Sequence, residues 1–257
     1  MLIAAELLLL ALNPHTGRTR IDAQPGLGVA LAGALIGELQ LEGALDVQGR
    51  RFNATGARPP HPLLAAAQQA LTEPQGKTCT DQLRRLDRRV GKLCPLPAGV
   101  PAGLAQPAGC SFTDQLRRLD GRGGLWPLLI DGLVAQGVLG CRRDRILLVG
   151  VTRHPVLRPA VREEVLHRVQ AAATGDGALE PRIAVLLALA APAGLLKVVA
   201  PQRSDRHHAR RRINTAAQQV PAAAVVQQVL AQMQAAAASA AIAGGAAAST
   251  CSGGGGC

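Results

Sequence analysis

Apolar positions fall in blocks along this chain, and most blocks have the length and spacing of helices. The opening MLIAAELLLLAL is apolar for about three turns and predicts a buried helix from Ile3 to Leu12. Asn13, Pro14 and Gly17 end it as a turn, and a basic, exposed stretch with Arg18, Arg20 and Asp22 follows. After a break at Pro25-Gly26, Gly28 to Leu41 repeats apolar residues at Val29, Ala32, Leu35, Ile36 and Leu39, a second buried helix stopped by Gly43. Ala44 to Phe52 alternates loosely and fits a strand or a hairpin. A turn over Ala57–Pro62 leads into a helix from Leu63 to Leu71.

Leu125 to Leu139 reads as a helix closed by Gly140. The run Arg145 to Val151 is the strongest strand signal. With Val138-Leu139 before it and Arg142–Asp144 as the turn, it predicts a small hairpin over Val138–Val151. Val161 to Ala173 follows as a helix, with Glu163 and Glu164 assigned to its first turn and Arg168 toward its end. Pro181 opens the next block. Ile183 to Ala191 is apolar all round, the mark of a central helix buried on every side. Pro192 and Gly194 interrupt it before Leu195–Val199. The densest charge lies at Gln202 to Arg212, and Val220 to Met233 carries the last apolar stripe.

One feature breaks the simple succession of blocks. TDQLRRLD occurs at Thr80–Asp87 and again at Thr113–Asp120, 33 residues on, across a Pro/Ala/Gly linker. Identity dies within a few residues, so this is a local duplication and not a solenoid. Each copy fits a short amphipathic helix with Thr as N-cap. Arg84, Arg85, Arg88 and Arg89 in the first, and Arg117, Arg118 and Arg122 in the second, form a solvated face or a phosphate-binding patch. The expected organisation is one globular domain over 1–234, with 77–124 as a disturbed insert and 235–257 as a low-complexity Ala/Gly tail.

Composition reinforces the helical reading. Leu and Ala dominate, there is no Tyr, and Phe52, Phe112 and Trp126 are the aromatics. A formal net charge of +11 favours anionic partners: lipid headgroups, nucleic acid or acidic proteins. Few aromatics leave little for base stacking. The six cysteines have no zinc-site spacing, and reduced thiols are expected. The first apolar block is too short to span a bilayer and, with Glu6 and no basic region before it, does not read as a signal peptide.

Catalytic patterns are missing. There is no Gly-x-Ser-x-Gly elbow, no phosphate-cradling Gly-rich loop with Lys-Ser/Thr, and no His-Glu-x-x-His. His207-His208 beside Asp205 reads as solvated surface in an Arg-rich run, and His154 as a satisfied loop histidine. No catalytic residue, metal ligand or cofactor is assigned.

The order of segments carries a family resemblance. LIAAELLLLALNPHTGR, LGVALAGALIGELQLEGAL, GLVAQGVL, a hairpin into TRHP, and EPRIAVLLALAAPAGLLKVVAP before HHARRRI together resemble the Golgi phosphoprotein 3 family, most of all its versions from high-GC Gram-positive bacteria. The resemblance covers about Leu2 to Met233. It implies a mainly α, single globular domain of amphipathic helices around a buried central helix, with a small protruding β-hairpin that can mediate homo-oligomerisation. It also implies a non-enzymatic trafficking or adaptor protein, cytoplasmic and peripheral on the membrane, that binds phosphatidylinositol 4-phosphate and protein cargo.

The family's headgroup tryptophan and arginine fall on about Ala23 and Ala32 here, and its basic pair on Gly123 and Trp126; none is retained. The local excess of arginine is expected to replace them: Arg18 and Arg20 in the first turn, Arg117, Arg118 and Arg122 before the helix containing GLVAQGVL. Each cation near an anionic surface contributes on the order of 1 kcal/mol. The alternative is a basic nucleic-acid-binding protein, driven by the same charge.

Overall fold

The computed structural model describes residues 1–20, 27–48, 51–72, 86, 125–146 and 149–220. Helices dominate them: α1 (Ile3–Ala11), α2 (Leu27–Leu41), α3 (Pro62–Thr72), α4 (Leu125–Ala135), α5 (Pro159–Thr174), α6 (Pro181–Ala190), the short α7 (Leu196–Val199) and α8 (Asp205–Gln219). Two antiparallel hairpins complete the architecture. β1 (Leu45–Gln48) pairs with β2 (Arg51–Ala54), which resolves the strand-or-hairpin alternatives over Ala44–Phe52. β3 (Arg142–Ile146) pairs with β4 (Val149–Arg153).

The core forms where three almost wholly apolar helices meet. Every residue of α1 is buried, as are Ala184–Ala190 of α6 and most of α2. These helices have no polar face to leave in water, so other elements must cover them on all sides. α1 packs against α2, α4, α5 and α6, while α8 covers α6, α5 and α7. Gly37 permits the close approach of α2 to α6: a Cβ there would lie 2.6 Å from Val185 Cγ1.

Several expectations shift. α4 ends at Ala135, short of Leu139, because Gly137 turns the chain at φ 68°. The residues that follow start the arm of the second hairpin. Val138 O accepts the Leu157 amide, and Leu139 bridges Val156. Arg142–Asp144, expected as the turn, is therefore strand, and the register runs on to the pair Ile146 and Val149. β3 and β4 pack mainly on each other, as a protruding hairpin does. Helix α5 begins at Pro159, so Glu163 and Glu164 lie beyond its first turn, and Arg168 is not in its last turn. The charged run at Gln202–Arg212 becomes most of α8, held by a stripe of Ala209, Ile213, Ala216 and Ala217.

Of the two TDQLRRLD copies, Leu86 is described: helical, fully buried and part of the core cluster. Arg117, Arg118, Arg122, the remainder of both copies, residues 221–233 of the expected last helix and the tail at 235–257 lie outside the described residues.

Candidate functional site

The two ends of α1 are built from opposite charges. At its N-terminal end the Ile3 amide, which no intrahelical carbonyl can reach, donates to Glu38 Oε2 of α2 at 2.9 Å. Arg182, at the start of α6, donates through Nη1 to Glu38 Oε1 at 2.9 Å and lies 3.5 Å from Glu6 Oε1. It also donates to the Met1 carbonyl. Arg168 of α5 approaches Glu6 to 3.6 Å. Glu6 and Glu38 are buried, yet each faces an arginine, so both carboxylates are matched, while Arg168 Nε lies out of solvent contact without a hydrogen-bond partner. His61 caps α3 at its margin. Its Nδ1 accepts the Leu63 amide at 3.2 Å, and burial lowers its pKa, opposed by Glu38 and assisted by the amino terminus. Glu42 is raised by desolvation and then by Glu38, with Arg182 opposing.

At the C-terminal end the orphan carbonyls of α1 are met differently. Leu8 O takes the Leu12 amide, Ala11 O takes the Arg20 amide at 2.9 Å, and Leu9 O takes Arg162 Nε at 3.3 Å. The turn between Leu12 and Arg20 is fixed by Asn13, whose Oδ1 accepts the His15 and Thr16 amides. Gly17, at φ 62°, donates to Asn13 O. Its carbonyl accepts the His154 amide at 3.1 Å, and a Cβ on Gly17 would stand 2.6 Å from the His154 carbonyl carbon. Only glycine fits between the first turn and the TRHP segment. The His154 ring then meets Trp126 of α4 edge-on, with centroids 5.8 Å apart.

This contact gathers basic side chains from three segments. Arg18, Arg142 and Arg158 are exposed, Arg20 and Arg153 half-buried, and Arg162 only 7% exposed. Among the described residues neither Arg20 nor Arg162 forms an ion pair. Arg20 Nε is out of solvent contact without a hydrogen-bond partner. Burial, and after it the Arg20 charge, lowers the Arg162 pKa, while Glu163 opposes the shift. Leu157, exposed at 60%, adds an apolar side chain at the base of the hairpin arm.

The structure thus puts Arg18 and Arg20 on a basic face, Arg18 exposed as expected and Arg20 sunk further. Sequence reasoning missed Arg142, Arg153, Arg158 and Arg162. The signal was present in TRHPVLRPAVR, where arginines recur beside a segment already singled out. His154 lies in a loop, as expected. His207 is exposed, whereas His208 is half-buried, with Nε2 3.6 Å from Asp176. Among the described residues no His, Cys, Asp or Glu group could hold a metal ion, and no helix is long and apolar enough to cross a membrane.

The segments meeting at this face, LNPHTGR and TRHP, are those that carried the family resemblance. The family model described as Golgi phosphoprotein 3 (GPP34) matches residues 3–233. The chain belongs to the Golgi phosphoprotein 3 family. A search of curated proteins finds no match. In this family member the helical domain is built around the apolar α6, and the first turn, TRHP and the start of α5 form the basic face.

Proposed function

We propose that this Golgi phosphoprotein 3 family member is a non-catalytic, cytoplasmic, peripheral membrane protein that binds anionic phospholipid through the face at the C-terminal end of α1. The observation that carries the reading is the collection of Arg18, Arg20, Arg158 and Arg162 without carboxylate partners among the described residues, beside half-buried Trp126 and exposed Leu157. Cations attract the headgroup layer over a Debye length, and an amphipathic aromatic with an exposed leucine suits the interface beneath it. Phosphatidylinositol 4-phosphate is the lipid the family suggests, and a trafficking or adaptor role with protein cargo and self-association would follow from anchoring at a membrane. Co-sedimentation with liposomes of graded anionic content, beside a DNA-shift assay at equal salt, tests it. Sedimentation that rises with anionic lipid and falls with salt is expected. Binding to DNA but to no liposome would replace this reading with the nucleic-acid alternative.

A further inference from the structure

Helix α8 carries its charge against its own dipole. The cations of this segment lie in the turn before α8 or in its first half, from Arg203 to Arg212, and none lies in its last turn. The N-terminal end of a helix is its positive pole, so this placement is unfavourable in the isolated protein and favours an anion beside it. The helix is held to the core by Ala209, Ile213, Ala216 and Ala217. On its outer side His207, Arg210, Arg211, Asn214 and Gln218 recur at i, i+3, i+4, i+7 and i+11, the spacing of one helical face. All five are exposed, as is Arg203 just before the helix. Among the described residues none of these six side chains forms an ion pair or a hydrogen bond. Arg206 and Arg212, on the flanks, are spent on backbone carbonyls instead.

The stripe is separate from the basic face at the first turn. Arg212 reaches α5 at Ala172, about 15 Å of helix beyond Arg162. It also offers nothing apolar to a bilayer, since the exposed large apolar residues among the described residues are Met1, Leu41 and Leu157. Its charge is confined to one half, Arg203 to Arg211, and the other half presents the neutral amides of Asn214 and Gln218. A nucleic-acid strand is charged along its whole length and would leave phosphates over the amides. A protein segment can set carboxylates over the guanidinium forks and uncharged polar groups over the amides.

We infer that the outer face of α8 docks an acidic segment of another protein, with carboxylates at helical spacing opposite Arg203, His207, Arg210 and Arg211 and uncharged polar groups opposite Asn214 and Gln218. The inference goes beyond the membrane reading and stands without it. Where that reading holds, α8 gives the membrane-bound protein a second, separate surface for a soluble partner.

The probe is a fluorescein-labelled peptide with glutamate at i, i+4 and i+7 in its first half and glutamine in its second, on an alanine background. It is titrated with the full chain at low salt. Fluorescence anisotropy should rise to saturation and fall back as salt is added. Arg210→Glu with Arg211→Glu should weaken binding on the order of a hundredfold, and the neutral pair Arg210→Gln with Arg211→Gln about tenfold. The neutral pair keeps the test decisive should charge reversal impair folding. Asn214→Ala with Gln218→Ala should cost about threefold. Reversal of Arg18 and Arg158, an equal change in net charge, should leave the affinity within about twofold. Absence of saturable binding overturns the inference. So does equal weakening by the Arg18 and Arg158 reversal, which would make the attraction one of net charge alone. Tighter binding of a short DNA duplex than of the peptide, lost in the same α8 variants, would assign the face to nucleic acid and overturn it as well.

Discussion

The N-terminal and C-terminal ends of α1 solve the same problem in opposite ways. Each exposes backbone groups that the helix cannot satisfy, and each recruits charged side chains from α2, α5 or α6 to meet them. At the N-terminal end two buried carboxylates are matched by Arg182 and Arg168, although Arg168 Nε itself lies out of solvent contact without a hydrogen-bond partner. At the C-terminal end the Arg20 amide and Arg162 Nε meet only carbonyl oxygens, and neither guanidinium forms an ion pair among the described residues. The closed end is a structural joint, and the open end is the proposed binding surface. A charged cluster is therefore informative about function when its partners are missing, more than when the cluster is large.

The largest expected effect comes from opening the closed end. Arg182→Ala strips Glu6 and Glu38 of their shared partner while leaving both buried. Removal of one member of a buried ion network costs about 3–5 kcal/mol. Urea denaturation should show that loss, and any folded fraction should bind liposomes as the parent does. A smaller loss, of about 1–3 kcal/mol, is expected for Gly17→Ala, which forces a side chain into left-handed backbone and against His154. Because that turn carries Arg18 and Arg20, membrane binding should weaken with it. A stability unchanged within about 0.5 kcal/mol would mean that the turn is not held against TRHP.

Arg162→Met sharpens the contrast. It removes the bond to Leu9 O but also relieves a buried cation of desolvation and of repulsion from Arg20. Replacing a buried charge by an apolar chain of similar length is often neutral, so a change within about 1 kcal/mol is expected from chemical denaturation. A loss as large as that of Arg182→Ala would place Arg162 among the structural pairs and erase the distinction between the two ends.

The smallest effect is a pH dependence confined to the closed end. The folded-state pKa of His61 lies below its ordinary value near 6.5, chiefly through burial, and its Nδ1 must stay unprotonated to accept the Leu63 amide. The folded protein therefore binds fewer protons than the unfolded chain in mild acid. The His61 contribution is intact above pH 6.5 and is lost as pH falls through that value toward the lower folded pKa. The urea midpoint should fall from about pH 7.5 to about pH 5.5, and His61→Asn, which keeps an acceptor without titrating, should flatten that part of the slope.

Much of the fold was legible because its core helices are apolar for their whole length. α1, α2 and α6 announce themselves by composition, and the Gly and Pro residues between them mark their limits to within a residue or two. The second hairpin was placed correctly but misregistered, since Arg142–Asp144, expected as the turn, pair as strand with Val151–Arg153. Helix α8 was hidden because its buried stripe is mostly alanine beneath a run of arginines. For the site, Arg18 and Arg20 could be named from the turn they occupy. Arg162 could not, because nothing local shows that position 162 of α5 reaches the carbonyl of Leu9. Arg206 and Arg212 teach the converse. They belong to the densest charge in the chain, yet they spend it on the carbonyls of Ala200, Pro201, Ala172 and Gly177.

The exposed residues of that same run supply the control for the central claim. Arg203, Arg210 and Arg211 are exposed and make no side-chain bond or ion pair among the described residues, so reversing them changes net charge as much as reversing Arg18, Arg20 and Arg158. Sedimentation of the two triple glutamate variants with phosphatidylglycerol vesicles at low salt isolates position from charge. Reversal of Arg18, Arg20 and Arg158 should abolish binding with little change in melting temperature, because Arg18 and Arg158 are exposed and half-buried Arg20 forms no ion pair among the described residues. Reversal of Arg203, Arg210 and Arg211 should weaken it only modestly. The opposite ranking, with binding lost in the α8 variant and retained in the first-turn variant, would contradict the assignment of the membrane face to the C-terminal end of α1.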